Sequence, residues 1–323
     1  MENLERQKED LKLKVFNHKL NYLIIVIGIV SAVIAAISLF DSQTVNVGQH
    51  MKSISGSSFE LYGRGVYHND SISMAAQARG QDFVTLFLGV PFLFFAMILN
   101  QRKSRRGRFF LAGTLAYFLY TYTMYCFSGT YNRFFIFYVL LTSLSFFMFV
   151  ACVTSFDLDK MKQGFTSKLP IKYLAISNIV FAALIGVNWL GYLKEPTTSL
   201  KLEHYTTFPI QAMDLGLVLP VIVFSSVMLL RKQNWGYLLL PIMTMKGLTL
   251  LLALDAMILF MSINGVEVSL AEILIFSGYT LVVALNFYLI QKNIKSDSLV
   301  DLETGRQESH QSFKHEDELT RRA

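Results

Sequence analysis

Only two cysteines occur in 323 residues, and none of the six histidines falls inside a long apolar run. Cys126 and Cys152 sit near opposite ends of adjacent apolar segments, too far apart for the narrow Cα spacing of a disulfide. Both read as small buried hydrophobes. The histidines are His18, His50, His68, His204, His310 and His315. Their positions exclude paired axial haem ligands within a bundle and a His-rich metal cluster, so neither metal nor cofactor is expected. The chain has no phosphate-binding loop and no G-x-S-x-G. The "GRG" of "YGRGVY" lacks the third glycine and the strand–helix setting of a dinucleotide fingerprint. Charge is sparse at 16%, and no basic run is interleaved with stacking aromatics. The net charge of +6 therefore does not mark a nucleic-acid groove.

Apolar sequence is what the chain has in abundance. Mean hydropathy is +0.43, and 53% of residues are hydrophobic. A helix crossing the hydrocarbon core needs about 20 largely apolar residues. Eight segments reach that length: 21–40, 82–100, 109–129, 132–155, 171–191, 212–230, 236–262 and 269–291. They are continuous rather than alternating, which excludes a barrel, and lipid leaves backbone groups no partner outside helices or closed barrels. The first run is longer than a signal-peptide core and no A-x-A-like site follows it, so it reads as a retained anchor.

Lysine and arginine set the expected orientation. Most of the 29 lie before residue 20, in "RKSRRGR" (102–108), between Lys160 and Lys172, at Arg231–Lys232, and after residue 291. By the positive-inside rule both termini are cytoplasmic. The expected organisation is a cytoplasmic segment 1–20, a membrane domain 21–291 with an outer loop 41–81, and a disordered cytoplasmic tail 292–323. Cell membrane is the expected location, with the lipid bilayer as partner and no nucleic acid.

An internal repeat is visible. "GVPFLFFAMILNQRKSRRGRFFLAGTLAYF" (89–118) lies over "VLPVIVFSSVMLLRKQNWGYLLLPIMTMKG" (218–247) without gaps, pairing Pro91 with Pro220 and Gly107 with Gly236. Two four-helix halves of this kind would run parallel, as in some transporters whose sites lie between repeats. In the overlay Lys246 takes the place of Tyr117.

Lys246 is the residue that most needs explaining. A rise of about 1.5 Å per residue puts it roughly 14 Å from the inner end of its run, near the bilayer midplane. An intramembrane charge usually faces a bundle interior or a water-filled cavity. Snorkelling to an interface is the alternative, and it suits helix ends better than midpoints. Tyr117 and Tyr120 are candidate neighbours, and Arg79 or Arg133 are candidate partners for Asp255, nine residues further on. Tyr122, Tyr125 and Tyr131 are assigned to an outer aromatic belt. Asp82 and Asp214 are placed at outer helix N-termini, where capping is the ordinary role of a carboxylate. The prolines that follow them would free carbonyls at membrane depth. Kinked helices with acidic mouths would suit a cation or amine.

The stretch "YGRGVYHNDS…AQARGQDFVTLFLGVPFL", with "GTLAYFLYTYTMYCFSGTYNRFFIFYV", resembles a family of uncharacterised multi-spanning proteins from bacteria and archaea. The resemblance covers roughly residues 60–150 and extends more loosely into the second half. It implies no activity. It directs attention to Tyr62, Gly63, Gly65, Tyr67, Asp70, Arg79, Gln81, Asp82, Pro91, Tyr117, Tyr120, Tyr122 and Asn132.

The chain thus reads as an all-α polytopic bundle of eight helices. A cavity open to the outer face is expected, built from Lys246, Asp255, Asp82, Asp214, Tyr117, Tyr120, Arg79 and Asn132. Tyr62, Arg64, Tyr67 and Asp70 would drape over its mouth. The expected function is binding or translocation of a small polar or charged solute. One alternative is a membrane-embedded enzyme on a lipid or lipid-linked substrate, with Asp82 or Asp214 as acid/base. Another is a non-catalytic assembly or sensor subunit.

Overall fold

A computed structural model of the protein describes residues 2–102, 104–194 and 202–295. The expected disordered tail lies, from residue 296 on, outside the described residues. Eight long helices make an all-α polytopic bundle: α1 (Glu2–Phe40), α2 (Ile72–Gln101), α3 (Arg105–Phe127), α4 (Phe135–Thr154), α5 (Ile171–Tyr192), α6 (Pro209–Leu230), α7 (Asn234–Ile263) and α8 (Leu270–Asn293). Helix α1 continues back through most of the expected N-terminal segment. Among the described residues, seven of the eight are long and apolar enough to cross a membrane, which marks the chain as an integral membrane protein. Helix α3 is the exception in composition. It packs against α2, α4 and α7, so its threonines and tyrosines meet protein rather than lipid.

The bundle gathers its polar groups inside, among an apolar core, and is apolar outside. Asp82, Gln81, Thr85, Thr121, Ser225 and Lys246 are buried, whereas Ile29, Phe147, Val187 and Leu281 are exposed. A water-soluble protein would not leave so many large apolar side chains facing out. Several buried hydroxyls are satisfied along their own helices: Thr114 donates to the Phe110 carbonyl at 2.8 Å and Thr244 to that of Leu240 at 2.8 Å.

The internal repeat has a structural counterpart. Both α2 and α6 widen into a π-helical turn, Thr85–Gly89 and Asp214–Val218, directly before the Val-Pro and Leu-Pro that open their second parts. Proline lacks the N–H that an α-turn needs, and the wider turn absorbs the loss: the N–H of Val90 bonds the Thr85 carbonyl, and that of Leu219 bonds the Asp214 carbonyl. These turns, the prolines and the starts of α3 and α7 all keep the sequence offset. At that offset the partner of Asp214 is Thr85 rather than Asp82.

Helix α2 begins ten residues earlier than its apolar run. Its N-cap is Ser71, whose hydroxyl accepts from the Met74 N–H at 3.1 Å. Asp82 is therefore in mid-helix, and the expectation that it caps the N-terminus is corrected. The segment 72–81 reads as loop because its polar side chains point into the protein, which hydropathy cannot register. What remains of the outer loop, 41–71, is a small domain around an antiparallel pair, β1 (His50–Lys52) and β2 (Ser58–Glu60), with bridges at Thr44–Arg64 and Leu61–Ser71. The membrane face that carries it is called the hairpin face below. Gly63 and Gly65 turn this chain at φ of +69° and +56°, and Gly65 abuts the Asp41 carbonyl. Gly65→Ala is expected to cost at least about 1 kcal/mol. Limited proteolysis should then cut 41–71 faster while the helices stay protected.

Candidate functional site

Seven helices line a cavity of about 240 Å³. Its wall runs from Lys246 and Leu250 on α7, past Asp214 on α6 and Trp189 on α5, to Tyr67 and Asp70 of the hairpin domain. Gln77 and Gln81 come from α2, Tyr120 and Tyr125 from α3, Tyr138 from α4 and Phe276 from α8.

Lys246 is 3% exposed, and its Nζ has no hydrogen-bond partner among the described residues. The ammonium lies 4.0 Å from the centroid of the Tyr120 ring. The Tyr120 hydroxyl donates to Asp214 Oδ1 at 2.9 Å, and the Trp189 indole N–H donates to Oδ2 at 3.1 Å. Tyr120 thus stands between a cation on its face and a carboxylate at its hydroxyl. Asp214 occupies the π-helical turn of α6, not the helix N-terminus, so its expected capping role is also corrected: no side-chain cap bond is made there. At the matched position of the first half the arrangement is neutral. Tyr117 hydroxyl and Thr85 Oγ1 are 2.9 Å apart, and Gln81 Nε2 donates to Tyr117 at 2.5 Å and to Thr121 at 3.2 Å.

A second cluster backs the cavity wall. Asp82, 1% exposed, accepts from Tyr67 at 2.6 Å and from Tyr125 at 2.8 Å. Burial and the neighbouring carboxylate push the Tyr67 phenol well above its ordinary value. Its proton stays on, as a donor to Asp82 requires. Tyr67 and Tyr125 face the cavity, while Asp82 stands one side chain behind it.

At the hairpin-face end the cavity is lined by loops that bond to one another. Asp70 accepts from the Thr130 N–H at 2.9 Å, and His204 Nε2 lies 3.5 Å from the same oxygen and 3.2 Å from the Ser128 carbonyl. Ser71 hydroxyl bonds Glu203. Burial raises the Asp70 carboxyl, offset in part by the Thr130 N–H and by His204.

Of the expected site residues, Lys246, Asp214, Tyr120, Asn132, Tyr67 and Asp70 lie on the cavity wall. Tyr117 and Asp82 are buried behind it. The others are elsewhere. Asp255 accepts from Thr280 at 2.7 Å and Ser277 at 3.4 Å on α8, so neither expected arginine meets it. Arg79 donates to Tyr62 at 2.6 Å and to the Leu39 carbonyl at 3.2 Å, and Arg133 pairs with Asp41 at 2.7 Å. Arg64 is exposed on the hairpin domain. The aromatic belt is corrected too: Tyr122 is 1% exposed and Tyr125 half-buried, leaving Tyr131 at 79%.

Sequence reasoning missed Trp189, Asn188, Tyr138 and Tyr205, all on the wall. Trp189 had a signal, since it stands within three residues of the end of α5, but a tryptophan there reads as an interface anchor. Among the described residues no three His, Cys, Asp or Glu side chains gather as metal ligands would. Comparison with family models, with curated proteins and with solved structures finds no match for this chain.

Proposed function

We propose that this protein binds a small polar or charged solute within the membrane and carries it to or from the hairpin face, which the distribution of basic residues makes the outer one. One observation carries this: an ammonium with no hydrogen-bond partner among the described residues lines a cavity halfway along the membrane-length helix α7. Burying a charge costs several kcal/mol or more unless something else uses it, and such residues face pathways in membrane proteins. The cavity runs from that charge to the loops of one face, the geometry of a solute site reached from that side. Asp214, which opens the π-turn before Pro220, lies on the wall, its match before Pro91 opens at Thr85, and transporter sites lie between such repeats.

Gly247 gives a test that leaves Lys246 in place. It lines the cavity, and a Cβ there would meet only Val283 at 3.9 Å. Gly247→Cys in a Cys126→Ala, Cys152→Ala background should be labelled by a charged, membrane-impermeant thiol reagent from the hairpin side. A folded variant that resists labelling from both sides would make Lys246 a sealed structural contact and end the solute reading.

A further inference from the structure

Lysine makes poor use of the platform on which Lys246 rests. An ammonium carries three N–H donors, and here none of them finds an acceptor among the described residues. What surrounds the charge is the face of Tyr120, whose hydroxyl is bonded to the Asp214 carboxylate, which also takes the Trp189 N–H. Such a ring is enriched in electrons by its anionic partner. A ring face and an anion held at one remove suit a cation that has no N–H to satisfy: an alkylated ammonium, weakly hydrated and held by aromatic faces. The rest of the wall agrees. Phe181, Ile185, Ile222, Leu254 and Phe276 offer an apolar body contacts rather than hydrogen bonds. Lys246 is the one lysine or arginine on the wall, against the two carboxyls of Asp70 and Asp214.

Resting on the solute-binding reading, we propose that the ligand is a small tertiary or quaternary organic cation with an apolar body, seated on Tyr120 and Asp214 in exchange for the proton of Lys246. One ring and one carboxylate cannot hold two cations at low dielectric. When the ligand enters, an Nζ–H bond of Lys246 breaks, its electron pair stays on nitrogen, and the proton leaves to water at the hairpin face. The charge of the cavity is unchanged, and the neutral amine withdraws from the ring. Beside Lys246 and Asp214, the titratable groups on the wall are Asp70 and the phenols of Tyr67, Tyr120, Tyr125, Tyr138 and Tyr205. Burial pushes the phenol of Tyr205 up, as it does that of Tyr67, so neither competes near neutrality.

Trp189 reports on this directly, because the other tryptophan, Trp235, lies on the half-exposed start of α7 and can be removed as Trp235→Phe. In nanodiscs, Trp189 fluorescence would be titrated with benzyltrimethylammonium, benzoate and benzyl alcohol across a pH series. The cation should bind, with affinity rising up to about tenfold per pH unit as one proton is released. Lys246→Met should bind it at least about tenfold more tightly at the acid end and lose the pH dependence. Asp214→Asn should lose binding. Benzoate binding that Lys246→Met abolishes would overturn the inference in favour of an anion site and leave the solute reading standing. Failure of the cation to bind at any pH also overturns it, whatever the other probes do. The cavity reading itself stands or falls on the labelling of Gly247→Cys.

Discussion

Asp82→Leu should lower the melting temperature of the detergent-solubilised protein by about 10 °C. Asp82 is in the middle of α2, and its two oxygens take hydrogen bonds from different parts of the fold: Tyr67 of the hairpin domain at 2.6 Å and Tyr125 of α3 at 2.8 Å. Leucine fills similar space but accepts nothing. The Tyr67 phenol would be left buried and unpaired and Tyr125 would keep only the Ala78 carbonyl at 3.0 Å, a loss of about 2–4 kcal/mol together. For a chain of this size each kcal/mol moves the melting point by about 2–4 °C. Asp82→Asn keeps an acceptor and should lose less. Adding Tyr67→Phe to Asp82→Leu removes the orphaned hydroxyl and should recover part of the loss. A leucine variant that melts with its parent would mean the cluster contributes nothing to stability. A double variant no better than the single one would assign the loss to something other than the Tyr67 phenol.

Gly80→Leu should have a larger effect still, leaving no monodisperse protein after extraction. Helices α2 and α7 are in close contact at Gly80, where a Cβ would stand 2.7 Å from the backbone N and Cα of Met257 and 2.9 Å from the carbonyl carbon of Ala256. Those are main-chain atoms of a regular helix and cannot step aside as a side chain can. The helices would have to part, and α7 carries Lys246 further along. Overpacking a core by one methyl commonly costs about 1–3 kcal/mol, so Gly80→Ala should fold with a lower melting point. Gly278 on α8 is the control. Nothing lies within 4 Å of a Cβ there, and Gly278→Leu should behave as the parent does in size-exclusion chromatography. Equal behaviour of the two leucine variants would show that the α2–α7 approach is not tight.

Much of the architecture was legible in the sequence, because a bilayer reduces the problem to length and hydropathy. The starts of α5, α7 and α8 fall within two residues of the apolar runs. The weak points are where a helix is polar for internal reasons. The first turns of α2 carry Gln77 and Gln81 toward the cavity, so hydropathy ends the run at residue 82 and strands Asp82 at an apparent terminus. Helix α3 has length enough but not composition, since its threonines and tyrosines face other helices. The same cause misplaced Tyr122 and Tyr125: a tyrosine near a helix end reads as an anchor until the neighbours that bury it are known.

Sequence by itself determined that the chain is a membrane bundle; it pointed to Pro91 and Pro220 as matched places and to an internal surrounding for Lys246. Each of these follows from a local cost: an unpaired backbone group in lipid, a missing N–H, a charge far from water. Only the tertiary structure decided what surrounds Lys246. Tyr120, Asp214 and Trp189 come from three helices, and their meeting depends on how each helix is rotated about its own axis. That rotation is set by side-chain packing between helices, and hydropathy carries almost no information about it.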